Sequence, residues 1–521
     1  MALASKLQPF NFDAKKLFKG ANTKLFTPHE VGSVWFSRKS LVLTVCNDLL
    51  ASESNMSMYC KGPFGCGKST LLDLVGRELT SRGFIVYLLF ARAAEESSIE
   101  LLKVLQEQSK VSKCVLLIDE ASDVEYKASI WPTLFKTPME AGVENLRILG
   151  VGVPTITSYS VHYSVSQPLS YLLMKTNTED INEFIDYWFS FVSNRAPETL
   201  TITRESVDEI CNWVCEFTNG HMYLMVSFCH YFFSKSDLKA NIDNYVDYFT
   251  SGEFFLAMED ARRRCRLHIS VLPMVNFCNF LFDRDAISFA SNVSVLSKLG
   301  YLDETTNHFF SDYVLCCFQN HLIGPSPGSN KLSPFPNGYS LAEKRIIGGL
   351  RHMKETDFFA NIGPENFVLA PSVEDAVSQR WSYYVITEFK NVFVCPQART
   401  RPKKGRVDFL FNGQEKIAIE VSLNGTRQVY VTKLDKFLST EGVYKQWRNS
   451  FAIFNIVTDS MKRKDISGIP EERLKYLFEF NVQTNTLYRG DMVEPLLVSV
   501  SSYLCTPPPG QSLNYRFLHI F

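Results

Sequence analysis

Residues 62–69 read Gly62-Pro63-Phe64-Gly65-Cys66-Gly67-Lys68-Ser69, and this short run constrains the surrounding chain more than any other part of it. A loop bounded by glycines can curl until successive backbone N–H groups point the same way. It serves a phosphate only where a strand delivers the chain and a helix receives it. Both flanks are present. Met56–Cys60 is an apolar run of strand character, and Ser69-Thr70-Leu71-Leu72-Asp73-Leu74-Val75 continues with helical periodicity. Strand, loop and helix in this order predict a phosphate-cradling loop opening a helix whose N-terminus carries partial positive charge. Gly62, Pro63, Phe64, Gly65, Cys66, Gly67, Lys68, Ser69 and Thr70 are therefore the expected nucleotide-binding residues, with Lys68 on the β- and γ-phosphates and Ser69 a Mg²⁺ ligand.

Lys113-Cys114-Val115-Leu116-Leu117-Ile118-Asp119-Glu120 supplies the second half of such a site. A buried apolar strand ending in two carboxylates reads as a Walker B strand, Asp119 holding Mg²⁺ and Glu120 polarising the attacking water. Taken alone, two adjacent acids could equally cap a helix; the loop upstream favours the catalytic reading. The Asp119-Glu120 pair resembles that of AAA+ and STAND-like ATPases, which implies adenine over guanine and a catalytic glutamate. ATP and Mg²⁺ are thus the expected cofactors.

Gly83–Phe90 reads as a further buried strand, 98–108 as a helix, and Leu146–Pro154 as a fourth strand, an alternation that predicts a parallel, doubly wound sheet. Related ATPases carry a polar sensor at the end of that fourth strand. Here it ends in glycine, with Thr155 and Thr157 the nearest polar groups. Thr218-Asn219-Gly220-His221-Met222-Tyr223 resembles the Gly-x-Pro turn opening the lid's sensor helix in such ATPases, with Met222 in the proline's place; His221 reads as a turn residue before a nucleotide contact. Four arginines fall within 262–266, a solvated helix face or else a phosphate-binding face or trans-acting finger. Residues 267 to about 325 contain a helix, a glycine turn at Gly300 and a short strand pair followed by a helix, and look like the winged-helix unit that often follows such lids, here aromatic-rich and weakly charged, which favours intramolecular packing over DNA.

Four prolines and three glycines between 324 and 338 cannot sustain helix or strand, which marks a linker. Beyond it Arg406-Val407-Asp408-Phe409-Leu410-Phe411 and Lys416-Ile417-Ala418-Ile419-Glu420-Val421-Ser422 read as two apolar strands around Asn412-Gly413, each delivering one carboxylate. This is the layout of a restriction-endonuclease-like, PD-(D/E)xK, nuclease. Asp408 and Glu420 are the expected Mg²⁺ ligands and catalytic acids, provided the hairpin register brings them together. The usual lysine two residues after the glutamate is replaced by Ser422. Lys433 or Lys436 on the next helix could supply the cation, Lys433 being the choice, against a solvated face from which Leu434 and Phe437 pack inward.

Chain-wide composition narrows the partners. The 54 Lys and Arg nearly balance 55 Asp and Glu, so any nucleic-acid contact must come from local patches. Thirteen cysteines sit in apolar runs without paired spacing, which predicts buried free thiols, a reducing compartment and no zinc. No secretory signal and no apolar segment of about eighteen residues is visible, so a soluble chain with no membrane partner is expected. The fold class expected is α/β. A P-loop NTPase core (31–170) follows an N-terminal extension (1–30). Next come a helical lid (171–265), a winged-helix-like segment (266–323) and a linker (324–339). A restriction-endonuclease-like domain (340–470) and a C-terminal extension (471–521) complete it.

The joint pattern of Gly-Lys-Ser loop, Asp-Glu strand, Glu420-Val421-Ser422-Leu423-Asn424-Gly425, Lys433-x-x-Lys436-Phe437 and Gly442-Val443-Tyr444 resembles the Crinkler effector family. Trypanosomatid retrotransposon hot-spot proteins share that architecture. The resemblance covers about residues 30–460 and implies an ATPase fused to a DNA nuclease, secretion, and action in a host nucleus on DNA, with host nuclear proteins and homo-oligomers as further partners. The family's Leu-Phe-Leu-Ala-Lys translocation motif is echoed only by Lys16-Leu17-Phe18-Lys19. The competing expectation keeps the ATPase and makes the C-terminal module a degenerate one that binds nucleic acid or protein without cutting.

Overall fold

The structure is a computed structural model that describes residues 37–51, 57–90, 98–121, 145–152, 166–167, 178–194, 202–234, 242, 244–265, 267, 301–302, 309–321, 335, 338–353, 358, 373–389, 392–399, 405–412 and 415–496. Residues 16–19, the extension 1–30, Thr155 and Thr157, most of the winged-helix segment and of the linker, and the chain after 496 lie outside the described residues. The chain divides into two compact units, one of residues 1–235 with 294–303 and one of residues 236–293 with 304–521.

The first unit is built on β1 (Ser57–Lys61), β2 (Ile85–Phe90), β3 (Cys114–Asp119), β4 (Leu146–Gly152) and β5 (Ser166–Gln167). They form one parallel sheet in the order β2-β3-β4-β1-β5. Every residue of β3 is buried, as a strand covered on both faces requires. Helices α1 (Lys39–Ala51), α2 (Lys68–Ser81) and α3 (Ser98–Val111) accompany it. In α2, Leu71, Leu72, Val75 and Leu79 fall at helical spacing and are buried. They pack with Val45, Cys46 and Leu49 of α1 against Val115, Leu117, Leu149 and Val151 of the sheet.

A helical part follows: α4 (Thr178–Ser193), α5 (Arg204–Phe217) and α6 (Met222–Phe233). Thr203 caps α5, its Oγ1 accepting from Ser206 N at 3.2 Å. Trp188, Trp213, Phe217, Phe228 and Phe233 are buried among these helices, with Trp213 and Phe217 centroids 4.6 Å apart. Between α5 and α6 the backbone turns through left-handed Asn219 and Gly220, and His221 caps α6.

The second unit contains α7 (Tyr245–Phe249), α8 (Gly252–Ala257), α9 (Glu259–Arg264), α10 (Asp312–His321), α11 (Leu341–Leu350) and α12 (Val373–Glu388). These are followed by β6 (Phe393–Arg399), β7 (Arg406–Asn412), β8 (Ile417–Leu423), α13 (Arg427–Leu438), β9 (Phe451–Val457), α14 (Glu471–Leu474), β10 (Leu477–Asn481) and β11 (Thr486–Arg489). The sheet order is β11-β10-β9-β8-β7-β6. β6, β7 and β8 form an antiparallel meander, and α13 then carries the chain to β9, parallel to β8. β10 joins β9 in parallel and β11 closes the edge in antiparallel fashion.

Alternation along the strands separates two faces. Phe409, Phe411, Ile419, Val421, Phe454 and Phe480 meet Ile346, Ile347 and Leu350 of α11 and Trp381 and Val385 of α12 in one apolar core. The intervening residues Asp408, Glu420, Ser422, Asn455 and Glu479 belong to the other face, which α13 covers through buried Tyr430, Leu434 and Phe437. Phe437 stacks on Phe451 with centroids 4.2 Å apart. Gly442 follows α13 where a Cβ would lie 2.4 Å from the Lys436 carbonyl oxygen, so the chain can return this closely only with glycine there.

The end of the segment read from sequence as lid, 236–265, and most of that read as winged helix fall within the second unit, whereas 171–235 and 294–303 belong to the first. Asn412 Nδ2 donates to the Asp247 and Thr250 carbonyls at 3.2 and 3.1 Å, and Asp247 accepts from Trp447 Nε1 and Lys416 Nζ at 3.1 and 2.7 Å. The Asn320 side chain of α10 pairs with both the N–H and the C=O of Val394 on edge strand β6 at 3.0 and 2.8 Å. The arginine run is divided. Arg262 is buried with its guanidinium 3.8 Å from the Phe255 ring centroid, while exposed Arg263 pairs with Glu259. A wholly solvated face is thus not what forms. The cysteines follow expectation where described, all of them buried free thiols. Among the described residues no helix is long and apolar enough to cross a membrane.

Candidate functional site

The phosphate loop lies between the end of β1 and the start of α2. Gly65 and Gly67 take left-handed φ values of 81° and 98°, which any Cβ would strain. Lys68 folds over the loop, its Nζ donating to the carbonyls of Gly62 at 2.9 Å and Pro63 at 2.6 Å. Ser69 is exposed at the helix start. Asp119, 6% exposed, ends β3 and accepts from Glu120 N at 2.9 Å. Glu120 is exposed and holds a φ of 52°, an uncommon conformation for a glutamate that turns the chain sharply at the strand end.

Because β4 lies between β1 and β3, the loop and Asp119 stand two strands apart, about 10 Å at the usual spacing. That separation suits a terminal phosphate and a hydrated Mg²⁺ between them. The donor set fits the ion, since Mg²⁺ takes hard oxygens from one or two protein groups plus phosphate and water. When bound, it would be held by Ser69 and Asp119 and would neutralise charge on the transferred phosphoryl group.

Two contacts here are not legible in the sequence, that of Arg38 with Asp180 and that of His221 with Phe64. Arg38, 3% exposed, pairs with Asp180 of α4 at 3.7 Å, and its guanidinium would lie 3.7 Å from a Cβ on Gly67. Burial lowers the Arg38 pKa against the attraction of Asp180, and burial raises that of Asp180. His221 is the second: its Nε2 lies 2.8 Å from the Phe64 carbonyl oxygen, while its Nδ1 accepts from Leu224 N at 3.3 Å. Burial pushes the His221 pKa down to about 4, so the ring is neutral at pH 7.

In the second unit the hairpin register decides whether the two acids meet. Phe409 pairs with Ile419, Leu410 with Ala418 and Phe411 with Ile417. One residue further, the same register sets Asp408 opposite Glu420 on one face. Lys433 from α13 reaches both: its Nζ is 3.2 Å from Glu420 Oε2 and 3.6 Å from Asp408 Oδ2, and it also donates to the Val421 carbonyl. Asp408 Oδ2 further accepts from Val421 N at 2.8 Å. The Glu420 side chain is 3% exposed, and its Oε1 is buried without a hydrogen-bond partner.

Burial and the neighbouring Asp408 raise the Glu420 pKa against the opposing pull of Lys433 and Lys436. Burial works to lower that of Lys433, and Glu420 and Asp408 outweigh it, so the ammonium titrates above its usual value. Glu374 of α12 adds to that attraction and is a further acid the sequence reading missed. Tyr444 donates to the Arg406 carbonyl and has its pKa raised by burial and by Glu420. Ser422 takes no part in this cluster: its Oγ donates to Asn455 Oδ1 at 3.0 Å, which also receives Gly425 N at 2.8 Å. The orphaned Glu420 oxygen beside Asp408 fits a Mg²⁺, which these two would hold and which would lower the pKa of an attacking water.

A stability prediction arises from this arrangement. Lys433→Met leaves two facing carboxylates, one of them buried, with only Lys436 to offset them, and is expected to cost about 3 kcal/mol at pH 8. The folded-state pKa of Glu420 then rises further above its unfolded value. A carboxyl raised in that sense adds stability when protonated, below the unfolded pKa, and loses it as pH rises through the folded one. The deficit should therefore shrink between pH 8 and pH 5 in urea denaturation, and adding Glu420→Gln should recover most of it. An equal cost at both pH values would contradict this account.

Residues 58–129 match the profile of the ATPase family associated with various cellular activities (AAA). No curated protein matches the chain. Solved structures similar to it include one described as a DNA replication initiation factor, at 15% identity, covering 52% of this chain and 82% of that one with a TM-score of 0.23. Another is AMPPCP-bound DnaA from Aquifex aeolicus, at 15% identity, 52% and 81% coverage and a TM-score of 0.26. A third is the Thermotoga maritima RuvB Holliday junction branch migration motor, at 13% identity, 40% and 68% coverage and a TM-score of 0.26. The parallel sheet and the glycine loop between β1 and α2 give the first unit a P-loop fold, and its residues 58–129 are similar to the AAA ATPase family.

Proposed function

We propose that the first unit binds and hydrolyses ATP with Mg²⁺, and that its nucleotide state gates a Mg²⁺-dependent nuclease in the second unit. The observation that carries the nuclease reading is the convergence of Asp408, Glu420 and Lys433 on one face of the β7–β8 hairpin. An antiparallel meander, a crossover helix and a parallel strand surround them, which agrees with the restriction-endonuclease-like layout expected from the sequence. Lys433 answers for the lysine missing at Ser422, because α13 lies over the strand that carries Glu420. In this reading the carboxylates hold the ion, Lys433 supports the negative charge that develops on the phosphate, and DNA is the substrate. ATP acts as a switch, since hydrolysis of a phosphodiester is already downhill.

The Crinkler-type role, with a host's nuclear DNA as target, rests on the Glu420–Gly425 and Lys433–Phe437 motifs and belongs to the same proposal. A second reading, a module that binds without cutting, is favoured by one observation: Ser422 stands where the usual lysine would and is turned to Asn455. Full-length protein incubated with supercoiled plasmid and Mg²⁺, with and without ATP, separates the two. Nicking that requires Mg²⁺ and changes with ATP is expected. Plasmid that stays supercoiled under all conditions, while ATP is turned over, would establish the second reading.

A further inference from the structure

The first turn of a helix has N–H groups without intrahelical partners. In α6 two of them are met in different ways. Leu224 N donates to His221 Nδ1 at 3.3 Å within the turn, but Tyr223 N donates across to the Gly65 carbonyl in the phosphate loop at 3.2 Å. With Nδ1 accepting, the neutral ring carries its proton on Nε2, which donates to the Phe64 carbonyl at 2.8 Å. One helix start therefore grips two consecutive carbonyls of the loop, 157 residues away in sequence. His221 itself is fully buried.

The consequence follows from peptide geometry. In a trans peptide the C=O and the following N–H point in opposite directions and turn together. Holding the Phe64 carbonyl toward α6 aims the Gly65 N–H away from the helix, and holding the Gly65 carbonyl fixes the next plane. Gly65, with φ of 81°, is a glycine with little intrinsic resistance to turning. We propose that His221 is a positioning residue for the triphosphate: with the Tyr223 N–H it fixes the peptide planes of the loop's apex, so that loop and α6 respond to nucleotide as one body. This rests on the ATPase reading of the first unit and not on the nuclease.

Two substitutions separate positioning from capping. Asn at 221 places an oxygen near the Nδ1 position, keeping a good cap, and cannot reach Phe64; Gln can extend a donor toward Phe64 and caps poorly. His221→Asn is expected to melt near the parent temperature yet weaken ATP·Mg²⁺ binding about tenfold, the scale of one lost buried hydrogen bond. His221→Gln should melt lower and bind within about threefold of the parent. Parent-like binding by His221→Asn, or equal loss in both variants, would reduce His221 to a helix cap. Hydrogen exchange on the unaltered protein gives a second reading: the Tyr223 amide should change its protection when ATP·Mg²⁺ binds, and an amide indifferent to nucleotide overturns the proposal. Lys68→Ala, which should by itself weaken binding about a hundredfold, serves as the control that tells failure of the ATPase reading from failure of this one.

Discussion

Asp408→Asn and Glu420→Gln should each lower the rate of Mg²⁺-dependent plasmid nicking by about 10³-fold, on the order of 4 kcal/mol of barrier. The changes are nearly isosteric, so loss of folding is not the expected cause. Asn at 408 retains an oxygen to accept the Val421 N–H, and Gln at 420 keeps the volume of a side chain that is 3% exposed. What each removes is one negative charge from a pair that would hold the ion. Without the ion neither the water nor the phosphate is prepared for attack. ATP turnover should be unchanged in both, because neither residue belongs to the unit that carries the phosphate loop. The measurement is a pair of assays on one preparation, nicking by gel and phosphate release. Nicking that persists in both variants at the parental rate would remove the nuclease from the proposal and leave the ATPase standing.

Lys68→Ala should weaken ATP·Mg²⁺ by about a hundredfold, from loss of charge-assisted contacts each worth ~1.5–3 kcal/mol. The lysine spends its ammonium on two loop carbonyls, Gly62 and Pro63, so it has a structural duty besides reaching phosphate. Lys68→Arg distinguishes the duties. Arginine keeps the charge, but its planar, bulkier head does not fit carbonyls gathered for an ammonium. Both variants are therefore expected to bind weakly in calorimetry, alanine the more so. If Lys68→Ala bound ATP as the parent does, the phosphate-loop assignment would fall, and with it any gating by nucleotide.

How much of this was legible beforehand depends on the reach of each interaction. The phosphate loop was read correctly as strand, loop and helix because its signal is local: glycines that take positive φ, with apolar flanks of the right period. The Asp119 strand was equally plain, since continuous burial writes itself as continuous hydrophobicity. The hairpin gave up its two acids but not their meeting, which depends on pairing between Phe409 and Ile419 that no composition encodes. Lys433 stood out only as one of two lysines; the buried positions of Leu434 and Phe437 turn it toward Glu420. His221 is a turn residue as its sequence suggests, but its contact with Phe64 and that of Arg38 with Asp180 are hidden, because those partners are far away in sequence. A charged residue beside a helix start looks ordinary until its partner is known. The placing of residues 245–264 was hidden for the same reason, resting on Asp247 contacts with Lys416 and Trp447.

The register of the β7–β8 hairpin bears on how relatives of this protein should be recognised. Asp408 lies between Val407 and Phe409, and Glu420 between Ile419 and Val421, so burial of those neighbours holds both acids on one face whatever the length of the turn. A slide of one strand by two residues would leave that apolar face buried and part the acids along the hairpin. A homologue is therefore expected to keep the site where the pairing of Phe409 with Ile419 is kept, which the letters of the motif do not report.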